Sequence, residues 1–374
     1  MGAARRVPSE RPRRLGVTSG RRFGSGVTGA LRELVTLNPG PDRTVIAVQA
    51  GVGMALPVLV LSLAGQPTWG LVASSGAFLA IHFGALSVRE RAARLPVIAL
   101  ALLGAAALAV AAAGVPILGP VTLGLVSIVA AVLLFGLKIG PPGMIFFLLV
   151  PGGAALAAAP SELGGLGLPE LLVLALVAGG LVVSYLVAVA PLALPRFRAR
   201  PEERRSTSPV RFSLRGESGV IVVRVAVAVT IAVALTAASG LHATVWTTLA
   251  AAAILQSGVR RRMTAMRAVH RVVGTAVGIV LYLGMAVFVP SGWVLALVLG
   301  MLQFGVEWIV VRHYGLALVL ITPLALLIAG GGHTGDFGAI AADRLLDTAI
   351  GAAIAVLILA VSLLRERALR NARD

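Results

Sequence analysis

Apolar residues run in long blocks along this chain, and most blocks close on glycine, proline or a cluster of arginines. The blocks, 171–190 for example, are continuously apolar and lack the in-out alternation of a barrel strand. A bilayer leaves the backbone only a helix or a closed barrel, so the pattern predicts helices. A hydrocarbon core about 30 Å thick is crossed by about 20 helical residues. On that measure twelve spans are expected, near 43–65, 68–87, 96–113, 118–137, 140–159 and 169–194, then 218–240, 242–258, 269–289, 291–310, 313–330 and 343–363. The turns between them are marked by Gln66-Pro67, Gly114-Val115-Pro116, Pro141-Pro142-Gly143, Pro290-Ser291-Gly292 and Gly330-Gly331-Gly332. The expected fold is an all-α polytopic membrane protein.

Composition agrees: 58% of the 374 residues are hydrophobic and 13% charged, with a mean hydropathy of +0.97. Such a surface is solvated by lipid. The formal net charge of +17 sits in short clusters between apolar blocks and at the ends, which fits membrane orientation better than a nucleic-acid surface. Arg89, Arg91 and Arg94, Lys138, the run 196–215, Arg260, Arg261, Arg262 and Arg267, Arg312, and the C-terminal arginines fall in alternate loops. That alternation puts both termini in the cytoplasm of a plasma or inner membrane, with Arg344 as the one exception. Residues 1–42, with eight arginines before Arg43 and no apolar core, read as a disordered basic tail rather than a cleaved signal.

A basic linker, 196–217, divides the membrane region into halves, 43–195 and 218–363, and a tail follows over 364–374. The halves share landmarks. Trp69 precedes Arg94 as Trp246 precedes Arg271, Gly143 precedes Pro151 as Gly315 precedes Pro323, and Glu170 and Asp343 follow in turn. Their common order predicts two parallel six-helix repeats.

No phosphate-binding loop, H-E-x-x-H or G-x-S-x-G run occurs and there are no cysteines, so no enzyme, cofactor or metal site is expected. Charges inside spans cost about 2.5 to 3.5 kcal/mol on insertion scales and are the functional candidates. Arg224, two turns into its span, either holds an organic anion or snorkels to the headgroups. Asp343, Arg344 and Asp347 share a helix face, as a proton-coupling site or as an interfacial ion pair. Glu307 and Arg312 flank a short turn with Trp308, His313 and Tyr314 and read as mainly interfacial. Trp246 and Trp293 fall near span ends, where aromatic belts gather; substrate stacking is the other reading for both.

One pattern is more specific. Arg224 in an apolar helix is followed by Trp246 opening the next, by Gln256-Ser257-Gly258 and an arginine cluster, and by His270-Arg271-Val272-Val273-Gly274-Thr275-Ala276-Val277-Gly278. The late segment reads Arg344-Leu345-Leu346-Asp347-Thr348-Ala349-Ile350-Gly351. This resembles the fusaric acid resistance protein-like family, whose transporter domain has a tryptophan-initiated helix, a basic loop, R-x-x-G-T-x-x-G and R-L-x-D-T-x-x-G. The resemblance covers about 218–363; in the first half Arg94 is followed by Leu95-Pro96 instead of the glycine motif. It implies an inner-membrane exporter of aromatic or other organic acids driven by the proton gradient, and a likeness to plant anion channels. Many relatives add a substantial soluble domain, where this chain has a linker and a short tail. Arg271, Gly274, Thr275, Gly278 and Gly351 are expected to serve helix packing, with Arg271 as a surface anchor. The expected partners are lipid, a small organic anion and a second copy of the chain, with no nucleic acid. A passive anion channel and a membrane scaffold that moves nothing are the competing readings.

Overall fold

A computed structural model describes residues 36–193, 211–286, 288, 292–330 and 337–371. Most of the basic tail and of the linker, the turns at Pro290-Ser291 and Gly331-Gly332, and His333 lie outside the described residues. Among the described residues every regular element is helical. In the first half these are α1 (Thr44–Leu63), α2 (Pro67–Ser74, continued by a 3-10 segment Ser75–Ile81), α3 (Val88–Ala112), α4 (Leu118–Gly136), α5 (Phe146–Ala158) and α6 (Glu170–Val189). In the second they are α7 (Glu217–Thr236), α8 (Leu241–Leu255), α9 (Arg261–Ala286), α10 (Gly292–Ile309), α11 (Tyr314–Gly330) and α12 (Phe337–Asn371).

Eight of these helices, namely α1, α3, α4, α6, α7, α9, α10 and α12, are long and apolar enough to cross a membrane. The other four expected spans form shorter apolar helices: α2 with its 3-10 extension, α5, α8 and α11. At 1.5 Å per residue, the 13 residues of α5 reach only about 20 Å. Each half therefore runs long, short, long, long, short, long. The structure also moves two expected boundaries. α9 begins at Arg261 rather than near 269, so the arginine cluster rides on the helix, and α12 begins at Phe337 rather than near 343. At α3, Ser87 caps the helix through a reciprocal box with Glu90.

Helices in lipid gain little from hydrophobicity and attract one another through close van der Waals contact, which small residues permit. The tightest crossings follow that rule. A Cβ built on Gly180 of α6 would stand 1.8 Å from the Ala73 carbonyl oxygen of α2, and one built on Gly351 of α12 would lie 2.6 Å from Ala250 Cβ of α8. Gly300 of α10 packs against Gly51 and Ala55 of α1, while Gly124 of α4 packs against Val229 and Val233 of α7. In α9, Gly274 meets Gly315 and Leu318 of α11, and Gly278 meets Thr322. The wider pairing runs alike in both halves: α3 on α5 as α9 on α11, α1 on α2 as α7 on α8, and α3 on α6 as α9 on α12.

Candidate functional site

A cavity of about 860 Å³ opens inside the bundle. Its walls come chiefly from the four short helices, α2, α5, α8 and α11, with α9 and α10 supplying charge. A short apolar helix cannot bring both its ends to the two membrane surfaces, so it is best buried among longer neighbours, where its ends border an interior space.

The walls differ in chemistry. The first half contributes a mainly apolar surface, Leu71, Val72, Phe78, Ile81, Phe135, Phe146 and Leu149 among it, together with Arg43, Thr68 and Ser75. Phe78 and Phe146 are stacked, with ring centroids 4.6 Å apart and planes 17° from parallel. The second half contributes Trp246, Gln256, Arg267, Arg271, Gln303, Glu307 and Tyr314. A flat apolar surface thus lies in the same space as a cationic, hydrogen-bonding one.

Arg271 is the centre of the polar wall. Starting α9 at Arg261 places it nearly three turns inside the helix, where it is only 4% exposed. Its Nη1 donates to the Tyr314 hydroxyl at 3.0 Å, while Nε and Nη2 have no hydrogen-bond partner. One turn earlier, the Arg267 guanidinium carbon lies 4.7 Å from the Tyr314 ring centroid, so Tyr314 of α11 fixes both arginines of α9. Gln303 of α10 is 1% exposed, and neither atom of its amide has a partner. A buried polar group left unpaired costs about 1–3 kcal/mol, so such a concentration around one cavity is informative.

At the end of the bundle where α1 begins, Arg43 Nη2 donates to Glu307 Oε2 at 2.7 Å, joining the halves. Glu307 is therefore a buried residue of the cavity wall near the end of α10. Arg312 does cap its own helix, donating to the Trp308 carbonyl oxygen with its guanidinium 4.7 Å from the Trp308 ring centroid. Just outside α1, Asp42 accepts from the Thr44 hydroxyl and backbone N–H, which hold its carboxyl below the usual carboxylate range.

Deeper in the second half, the Arg344 guanidinium carbon lies 3.8 Å from the Trp246 ring centroid. Trp246 Nε1 donates to His242 Nε2 at 2.9 Å and the ring borders the cavity. Asp347 Oδ1 accepts from the Thr247 hydroxyl at 3.3 Å; Oδ2 has no partner. The three charges of this segment do not stay together: Arg344 and Asp347 are buried, and Asp343 is exposed. Arg43 and Glu307 form an ion pair, whereas Arg344 engages the Trp246 face.

Arg224 lies elsewhere. It is buried on α7, does not line the cavity, and its Nη1 is 3.5 Å from the Val259 carbonyl oxygen, at the outer limit of a hydrogen bond. Glu217 accepts from the Val259 N–H at 3.3 Å, so α7 holds the turn between α8 and α9 through both backbone polar groups of Val259. Trp293 is 61% exposed, as a belt residue would be. Arg43, Arg267, Tyr314 and Gln303 line the cavity without being singled out as site residues by the sequence. Gln303 alone carried a signal, as a glutamine within an apolar block.

Residues 227–358 match the model of the fusaric acid resistance protein-like family. This fusaric acid resistance protein-like segment holds Trp246, Arg271, Gln303, Glu307 and Asp347, and starts three residues after Arg224. The "Uncharacterized membrane protein YvaC" of Bacillus subtilis (strain 168) is 35% identical over 121 residues, which are 32% of this chain and 19% of that protein. The match therefore spans about a fifth of the relative's length. No solved structure matches.

Proposed function

We propose that the protein is a secondary transporter, a duplicated pair of six-helix halves, that exports small organic acids, aromatic ones included, and couples their movement to protons. The observation that carries this reading is the two-sided cavity. Arg43, Arg267 and Arg271 against the single Glu307 leave its ionisable lining with a net charge of +2, and the stacked Phe78–Phe146 pair supplies an apolar face. Those are the two surfaces an amphiphilic monoanion needs. The matching glycine crossings of the two halves support the duplication, and the family match of the second half supports the transporter class. Asp347 is the proton-coupling group, a buried carboxylate with one oxygen free of partners, beside Arg344. Arg344 lies against Trp246, whose ring borders the cavity.

Inside-out vesicles carrying the protein are expected to accumulate labelled benzoate under an acid-inside pH gradient, which drives the permeant free acid out of control vesicles. Benzoate content no higher than in control vesicles under that gradient sinks the transporter reading. A passive anion channel is the second reading, favoured because the lining takes in residues near both ends of the bundle, Gly164 and His242 at one and Gly143 and Val310 at the other. Voltage-clamped bilayers separate the two: a channel gives a current that follows voltage and ignores the pH gradient.

A further inference from the structure

The cavity has several cationic groups, and they are not equivalent. A guanidinium offers a carboxylate its best geometry along the edge shared by Nε and one terminal nitrogen, where two N–H bonds run parallel. In standard atom naming that terminal nitrogen is Nη2, because Nη1 lies on the side of Cδ. In Arg271 the edge formed by Nε and Nη2 is the one without a partner, while Nη1 is committed to the Tyr314 hydroxyl. Arg43 uses Nη2 for Glu307. Arg91, buried in the first half, spends Nη1 on Gln49 at 2.8 Å and Nη2 on the Ala80 carbonyl oxygen at 2.5 Å. Arg344 lies against Trp246, and its unpartnered atoms, Nε and Nη1, do not share a parallel edge.

We infer that Arg271 is the residue that grips the substrate's carboxylate, through Nε and Nη2, that Tyr314 is the positioning residue that leaves this edge unpaired at the cavity wall, and that Gln303 binds a second polar group on the same molecule. Gln303 presents both an amide oxygen and an amide nitrogen, so it pairs with a group that donates and accepts, such as a hydroxyl or a primary amide. The ligand class is a flat organic monocarboxylate with a second hydrogen-bonding group. This assignment rests on the transporter reading above and replaces Arg224 as the anion holder.

The test uses purified full-length protein in detergent, with benzoate, its neutral isostere benzamide, and 4-hydroxybenzoate as probes and binding read by calorimetry. Wild-type protein is expected to prefer benzoate to benzamide. Arg271→Lys keeps the charge and loses the fork, and is expected to reduce that preference at least about tenfold, the scale of one charge-assisted hydrogen bond. Tyr314→Phe is expected to weaken benzoate severalfold while leaving benzamide unchanged, a selectivity effect that a loss of packing does not produce. Gln303→Leu is expected to abolish the advantage of 4-hydroxybenzoate over benzoate and to leave benzoate itself bound. If the benzoate-to-benzamide ratio stays at the wild-type value in monodisperse Arg271→Lys and Tyr314→Phe proteins, the assignment is wrong although the transporter reading stands. If wild-type protein binds none of the three probes, the transporter reading falls and the assignment with it.

Discussion

The pair of Arg43 and Glu307 shows how much one side chain decides here. With 15% of the arginine side chain and 5% of the glutamate side chain exposed, neither charge has water enough to stand alone. Removing one partner of such a pair is more damaging than removing both, because a lone buried charge is left. Glu307→Ala is expected to cost roughly 3 kcal/mol in denaturant unfolding in detergent, and Arg43→Ala combined with Glu307→Ala is expected to recover part of that loss. The sequence placed Glu307 beside a turn, which made an interfacial role the natural reading. Its actual partner is 264 positions away, and no local pattern reports such a contact. Arg271 was legible as a member of a motif, yet its burial was not, because the polar start of α9, Arg261, Arg262 and Met263 onward, looks like a loop to any hydropathy window. The Asp343, Arg344 and Asp347 cluster was legible as a set, but only the arrival of α8 at Trp246 and Thr247 decides which of the three is enclosed.

The helices were largely visible in the apolar blocks, and their order was as well. Their lengths were not. Around Pro141, Pro142 and Gly143 the sequence remains apolar enough to read as span, while α5 starts only at Phe146, so composition alone overstates the helix. Contacts between helices rest on glycines that the sequence marks without saying which ones matter. Gly351 and Gly104 make the contrast testable. A side chain at Gly351 meets the Thr247 carbonyl oxygen at 2.5 Å, whereas one at Gly104 meets nothing within 4 Å. Gly351→Val is expected to lower stability by about 1–3 kcal/mol through overpacking at the α8–α12 crossing. Gly104→Ala is expected to be neutral or to stabilise by up to about 1 kcal/mol through helix propensity. Thermal unfolding followed by fluorescence-detected gel filtration reads both.

Across the whole molecule, charge is distributed unevenly between two halves that otherwise pack alike. The first half commits both terminal nitrogens of its buried Arg91, to Gln49 and the Ala80 carbonyl oxygen, and leaves Arg91 Nε, Arg43 Nε and His82 Nε2 unpaired. The second half keeps Arg271, Gln303, Arg344 and Asp347 with atoms unpaired. The second half thus carries more of the buried unpaired atoms among the described residues, and the proposed coupling at Asp347 makes that difference measurable. Asp347→Asn removes the titratable carboxyl and retains nearly the same shape. It is expected to abolish accumulation driven by a pH gradient in vesicles while leaving exchange of benzoate for labelled benzoate at equilibrium. Loss of both would show a structural role for Asp347 instead of a coupling one. The short helices around the cavity carry a last consequence, an electrical one. Where helices of 13 and 17 residues face a hydrated space, the insulating layer is thinner than the bilayer around it. In the proposed transport the membrane potential falls mainly across that thinner stretch, and a monoanion crossing it collects most of the available work, about 2.3 kcal/mol per 100 mV.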